Sequence, residues 1–137
     1  MIEEPNPEDK KIGRNVQEPP ILTIAIGEQT IRTVKGNYSW SYYDEGTGET
    51  VATEQDTAPP PDLVDGEATT MVHSDAEVEL LFDYPPNEYQ VNTWDNDQVI
   101  DSFDEVKLTE YLGDVIYELQ ASWEQGTVSY AFVVHIE

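Results

Sequence analysis

Asp95, Asp97 and Asp101, with Asp104 and Glu105 close behind, form the most ligand-like group in the chain. Calcium takes roughly six to eight hard oxygen ligands, and a loop can supply several of them at alternate positions. The spacing therefore suits calcium. The glycine of an EF-hand-type loop is missing, because Val99-Ile100 occupy that stretch. Asp95-Asn96-Asp97 is equally the composition of a tight strand connection, in which short polar side chains bond their own backbone. A second constellation is aromatic: Tyr38, Trp40 and Tyr42 share one strand parity. On an outer face these rings would make a platform for sugars, and on an inner face they would be core.

Nucleophilic chemistry has little to work with. The chain has 2 histidines and no cysteine, and no Ser or Thr sits in a strand-to-helix elbow or beside a lysine motif. His135 has the parity opposite Val134 and Ile136, which places it outward, and His73 lies in a polar stretch; both read as solvated. Carboxylate pairs at the glycosidase spacing of roughly 5 to 9.5 Å arise by chance among 29 acids. The expectation is a protein without catalytic activity.

These residues sit in an acidic chain of 137 residues with 6 bases and a formal charge of −23. Such a balance repels nucleic acid and anionic lipid, attracts cations or basic partners, and favours a soluble monomer. The first twenty residues hold 5 acids and 3 bases, residues 21–70 hold 9 and 2, and residues 71–137 hold 15 and 1. The acidity thus belongs to the folded part. No apolar run approaches the ~20 residues that span a bilayer, and Met1 to Asn15 lack the hydrophobic core of a signal peptide. The chain is accordingly cytoplasmic, or its targeting segment lies upstream.

Residues 1–19 are polar and proline-punctuated and read as a flexible leader or tether; residues 20–137 read as one domain. Leu22, Ile24 and Ile26 alternate with smaller residues up to a turn at Gly27-Glu28-Gln29, predicting a first hairpin. The C-terminal pairing is better determined, since Val115, Tyr117, Leu119, Ala121 and Trp123 share a parity, as do Val128, Tyr130, Phe132, Val134 and Ile136. A turn at Gln125-Gly126 would set Trp123 opposite Val128 and Leu119 opposite Phe132, with all these apolar side chains on one face. Further strands are expected at Tyr38 to Tyr43, Val78 to Phe82, and Tyr89 to Trp94, the last leading through Asp95-Asn96-Asp97 to Val99-Ile100. Asp44 to Glu67, with its acids and its Pro59-Pro60-Pro61 run, reads as an exposed irregular loop. Ser102 to Leu112 hints at a helical turn. Where register is readable, Glu77, Glu79, Glu118 and Glu124 take the solvated parity. The sum is an all-β, antiparallel, immunoglobulin-like sandwich with a disordered N-terminal leader, and Gly113 followed by Tyr117 matches the tyrosine corner of such folds.

From Pro19 onward the chain resembles a group of uncharacterised secreted or lipid-anchored proteins of Bacillus-type bacteria. The residues that carry this are Pro19-Pro20, the first hairpin through Gly27, then Gly36, Tyr38 and Trp40, and the proline run with Leu63-Val64. Relatives in that group often carry a cysteine between the Tyr and Trp positions and a second downstream; here Ser39 takes the first place and the chain has no cysteine. The resemblance implies an extracytoplasmic domain tethered to the envelope by residues 1–20. On this basis the expected function is a non-catalytic envelope module without a cofactor, engaging a basic protein or a cell-wall component. The alternatives are an acidic mimic of nucleic acid, a calcium-stabilised module and a carbohydrate-binding module.

Overall fold

The computed structural model describes residues 13–137. Its centre is the hairpin of β9 (Gly113–Trp123) and β10 (Gly126–Ile136). Alternation puts Val115, Tyr117, Leu119, Ala121 and Trp123 on one face with Val128, Tyr130, Phe132, Val134 and Ile136, and all ten are buried. The facing expected from the sequence is correct, and the register differs by two residues. Ala121 lies opposite Val128, Leu119 opposite Tyr130 and Tyr117 opposite Phe132, with Glu124-Gln125 as the turn. A slip of two leaves every side chain on its face, so burial cannot distinguish the two registers.

Close approach decides between them. Gly126 is a strand residue that pairs with both Trp123 and Trp40. A methyl group there would lie 1.8 Å from the carbonyl oxygen of Ser39, and the backbone has φ +152°. Glycine is needed inside the sheet, not in the turn.

The other strands assemble around this hairpin. β1 (Leu22–Ile26) and β2 (Gln29–Arg32) form the expected first hairpin, with Gly27 at φ +59°. β3 (Val34–Asp44) lies along β10. β4 (Glu49–Gln55) returns along β3, pairing Val51 with Tyr42 and Thr53 with Trp40. Much of the expected loop from Asp44 to Glu67 is therefore structured, and its acids suit a sheet edge that must not recruit further strands. α1 (Pro60–Leu63) begins with two prolines, whose fixed φ fits the first turn of a helix. Then follow β5 (Thr70–Val72), β6 (Val78–Phe82), β7 (Glu88–Asp95) and β8 (Gln98–Phe103). No helix forms over Ser102 to Leu112: Ser102 and Phe103 end β8, and the rest crosses to β9 with a single turn at Thr109-Glu110. Its apolar residues Val106 and Leu108 cover the core as single anchors.

Two sheets result, a minor sheet ordered β2-β1-β6 and a major sheet ordered β4-β3-β10-β9-β7-β8, with β5 parallel to the end of β10. They form an antiparallel β-sandwich. Between them Trp40 and Phe82 each meet Trp123 edge-on with centroids 5.7 Å apart, and Tyr117 stacks on Phe132 at 5.2 Å. The Tyr117 hydroxyl donates to the Lys107 carbonyl at 2.7 Å, ten residues upstream, and so ties the crossing before β9 to the core instead of closing the short tyrosine corner expected from the sequence.

Residues 1–12 of the expected leader lie outside the described residues. Gly13 to Pro20 are tied to the sheets by hydrogen bonds. Trp40 Nε1–H donates to the Val16 carbonyl at 3.0 Å, the Tyr43 amide to Arg14 at 2.8 Å, and the Tyr130 hydroxyl to the Pro20 carbonyl. Sequence reasoning missed this because the anchoring donors come from β3 and β10, far along the chain.

Two outcomes follow from this core. Gly126→Ala should lower stability by about 2–3 kcal/mol, read from chemical denaturation, because β3 must move off β10. Burial pushes the phenols of Tyr117 and Tyr130 well above their ordinary value of 10.0. The native state therefore keeps protons that the unfolded chain releases, and stability present below pH 10 falls as pH rises beyond it. A spectrophotometric titration should show their phenolate absorbance appearing together with unfolding.

Candidate functional site

The sequence-nominated groups are placed as follows. Asp95 pairs with Gln98 at the end of the β7–β8 hairpin, whose tip is Asn96-Asp97, with Asn96 at φ +55°. Asp101 lies opposite Thr93 and accepts a hydrogen bond from the Tyr111 hydroxyl, which also lies 3.0 Å from Thr93 Oγ1. Asp95 and Asp97 thus serve a turn while Asp101 serves a strand contact. Among the described residues, no group of three or more His, Asp or Glu side chains is placed to hold a metal ion. Tyr38, Trp40 and Tyr42 face inward: Trp40 is fully buried, and both tyrosines are half-buried against the same core. Trp40 at the centre of the stripe is closed off, with its indole N–H bonded to the Val16 carbonyl, whereas Tyr38 and Tyr42 each border a surface cleft. His135 faces outward as expected and lies 2.8 Å from Asp114.

The outer face of the major sheet holds what the sequence reading passed over. Buried polar side chains among the described residues are Asn92, Thr93, Glu118 and Ser129, and three of these form one network. Glu118, expected in solvent, is only 7% exposed. Its Oε1 accepts from Asn92 Nδ2 at 3.1 Å and from Trp94 Nε1 at 3.0 Å, and its Oε2 accepts from Ser129 Oγ at 2.7 Å. Asn92 is oriented in turn, since its Oδ1 accepts from Gln90 Nε2 at 3.0 Å and Ser102 Oγ at 2.8 Å. Strand alternation places every member: Gln90, Asn92 and Trp94 along β7, Glu118 opposite Asn92 on β9, and Ser129 on β10.

The segment from Thr57 through α1 covers this network. Thr57 donates to Asn37 Oδ1 through its amide at 2.6 Å and its hydroxyl at 2.9 Å. Pro60 and Val64 are buried, and α1 touches β3, β7, β9 and β10. Gly36 makes the seat, for a methyl group there would stand 3.2 Å from Leu63 Cδ1 and 3.4 Å from Ser129 Oγ. Beside this strap lie two adjoining clefts of about 360 and 330 Å³, which share Asn37, Glu118, Gln120 and Ser129. One is closed by Trp94, Val99 and the strap; the other reaches Glu54 and Asp56 at the β4 edge. Together they form a trough across the sheet with Glu118 in its floor.

No basic side chain lines it. The described bases are engaged elsewhere: Arg14 lies over the Tyr43 ring at 4.3 Å, Lys107 over Phe103 at 5.3 Å, and Lys35 Nζ lies 3.5 Å from the Pro19 carbonyl. Arg32 is on the minor sheet. Glu118 is therefore a buried carboxylate held by neutral donors, an arrangement that is costly unless the charge is well solvated by them. The remaining acids are dispersed, with Glu49 and Glu54 at the β4 edge, Glu77 and Glu79 at β6, and Asp97 and Asp101 at β8, all exposed.

Chemically the trough offers a fixed carboxylate, amides from Asn37 and Gln120, and an indole wall. It suits a small polar or cationic group. The sequence signal for it was the run of Gln90, Asn92 and Trp94 at one parity beside an outward Glu118; what the sequence could not show was the proline strap that buries them. The chain matches no protein-family model, no curated protein and no solved structure.

Removing the carboxylate should expose how much the face depends on it. Glu118→Ala strands the buried donors of Asn92 and Ser129, each worth about 1–3 kcal/mol when left unpaired, along with the half-buried indole N–H of Trp94, so urea unfolding should show a loss of at least about 2 kcal/mol. Glu118→Gln keeps acceptors for Asn92 and Trp94 and should lose less than half as much.

Proposed function

We propose that this chain is a non-catalytic binding module of the bacterial cell envelope, and that it engages its ligand through the trough on the outer face of the major sheet. The observation that carries this reading is Glu118. A sandwich needs no buried carboxylate on its outer face, where alternation would otherwise leave the side chain in water at little cost. Here one acid is roofed by a strap, oriented through Asn92, Trp94 and Ser129, and left bordering an open cleft. Preorganised polar groups beside an aromatic wall are the usual make-up of a small-ligand site.

The envelope setting rests on the resemblance from Pro19 onward and on the acidic, lysine-poor composition. The dispersal of exposed acids over β4, β6 and β8 favours this reading over mimicry of nucleic acid, which would need one continuous negative face with phosphate-like spacing.

Two measurements test the proposal. Fractionation of cells expressing the complete gene should place the protein outside the cytoplasm, and a cytosolic product whose reading frame starts at Met1 would contradict the envelope assignment. Soluble peptidoglycan fragments, titrated into isotope-labelled protein, should shift the Trp94 Nε1–H and Asn92 side-chain resonances. Shifts confined to the β7–β8 turn or the minor sheet would contradict the trough.

A further inference from the structure

The hydrogen-bond geometry in the floor of the trough goes further and selects a ligand class. Resting on the trough as the binding site, we infer that it takes a primary alkylammonium group, as carried by a lysine side chain or a small aliphatic amine.

Three observations lead there. First, Glu118 is buried without a cation: its partners Asn92, Trp94 and Ser129 are neutral, and neither adjoining cleft has a basic side chain in its lining. A cationic ligand would supply the missing counter-charge in a partly desolvated place, where such a pair is stronger than at an open surface. An anionic ligand would meet Glu118, Glu54 and Asp56.

Second, the two carboxylate oxygens are unequally occupied. Each oxygen has two lone pairs. Oε1 already accepts two hydrogen bonds, from Asn92 and Trp94, and is saturated, whereas Oε2 accepts one, from Ser129, and keeps one acceptor position. A guanidinium fork in its strong bidentate mode needs both carboxylate oxygens and finds only one available. An ammonium is a compact donor that needs a single carboxylate oxygen and takes its remaining acceptors from neighbours. Ser129 and Gln120, each with an oxygen able to accept, stand in the same lining.

Third, the approach suits an aliphatic stem. Trp94 and Val99 flank the cleft on the β7–β8 side, and Pro59, Pro60 and Leu63 form the opposite wall. Methylene groups of a lysine-like chain can lie against these while the charged head reaches the floor.

The test is a titration of the 137-residue chain, followed through Trp94 Nε1–H and Asn92 Nδ2 resonances. The probes are a capped Gly-Lys-Gly peptide, its arginine and norleucine counterparts, putrescine, and a neutral disaccharide. The lysine peptide should bind about tenfold more tightly than the arginine or norleucine peptide, and E118Q should weaken it about tenfold. The general attraction of a chain with net charge −23 is nearly unchanged by that substitution, so equal binding by E118Q would overturn the inference. Should E118Q not fold, Gln120→Leu at the exposed rim serves instead, with several-fold weaker lysine binding supporting the inference and unchanged binding overturning it. Putrescine binding as tightly as the peptide would assign a free amine as the source, and much weaker putrescine binding a lysine within a polypeptide. If the disaccharide or norleucine peptide shifts the same resonances with equal or higher affinity, the trough remains a binding site and the ammonium inference falls. If no probe moves them, both the inference and the site fall.

Discussion

Eleven residue pairs between β9 and β10 set the frame on which everything else in this protein is placed. The hairpin occupies the middle of the major sheet, so β3 and β5 take their register from β10, and β7 takes its register from β9. Its inner parity supplies Tyr117, Leu119, Tyr130 and Phe132 to the core, and its outer parity supplies Glu118, Gln120 and Ser129 to the trough. Because side chains alternate with a period of two, stability and site are fixed by the same ladder. A one-residue slip would bury Glu118 among the aromatic rings and expose Leu119. Gly126 guards this register from the second side, since only a residue without a side chain allows β3 so close to β10.

Much of this was legible in the chain itself. Long apolar alternation made the faces of β9 and β10 readable, and Gly27 marked the first turn because its positive φ suits glycine. The hairpin register was not legible, because Gly126 has two possible uses, turn residue or point of close approach, and only β3 distinguishes them. β4 was hidden by its acids: Glu49 and Glu54 look like loop residues until the strand is seen to be an edge, where charge opposes unwanted pairing. The residues before Pro20 were hidden for another reason, since their partners Trp40, Tyr43 and Tyr130 are remote in sequence.

The site was legible only in its parts. Alternation puts Glu118 outward, and outward ordinarily means solvated; what reverses this is Pro60 and Val64 folding back over the sheet onto the seat left by Gly36. A proline run in an acidic stretch carries no local sign of where it docks. Of the residues nominated from the sequence, Asp95 and Asp97 lie at a hairpin tip and Trp40 lies in the core. The charge of −23 is thus of two kinds. Its dispersed, exposed part keeps the domain hydrated and raises the local concentration of cations, while Glu118, the one buried carboxylate among the described residues, gives the proposed site its fixed charge.

The most direct measurement of this account is a crystal structure of the chain grown with methylammonium. It should show the strap seated over Gly36, Glu118 held by Asn92, Trp94 and Ser129, and an ammonium nitrogen within hydrogen-bond distance of Glu118 Oε2. A structure in which Glu118 turns into solvent, leaving Asn92 and Trp94 bonded to water and the ammonium scattered over the exposed acids, would contradict it.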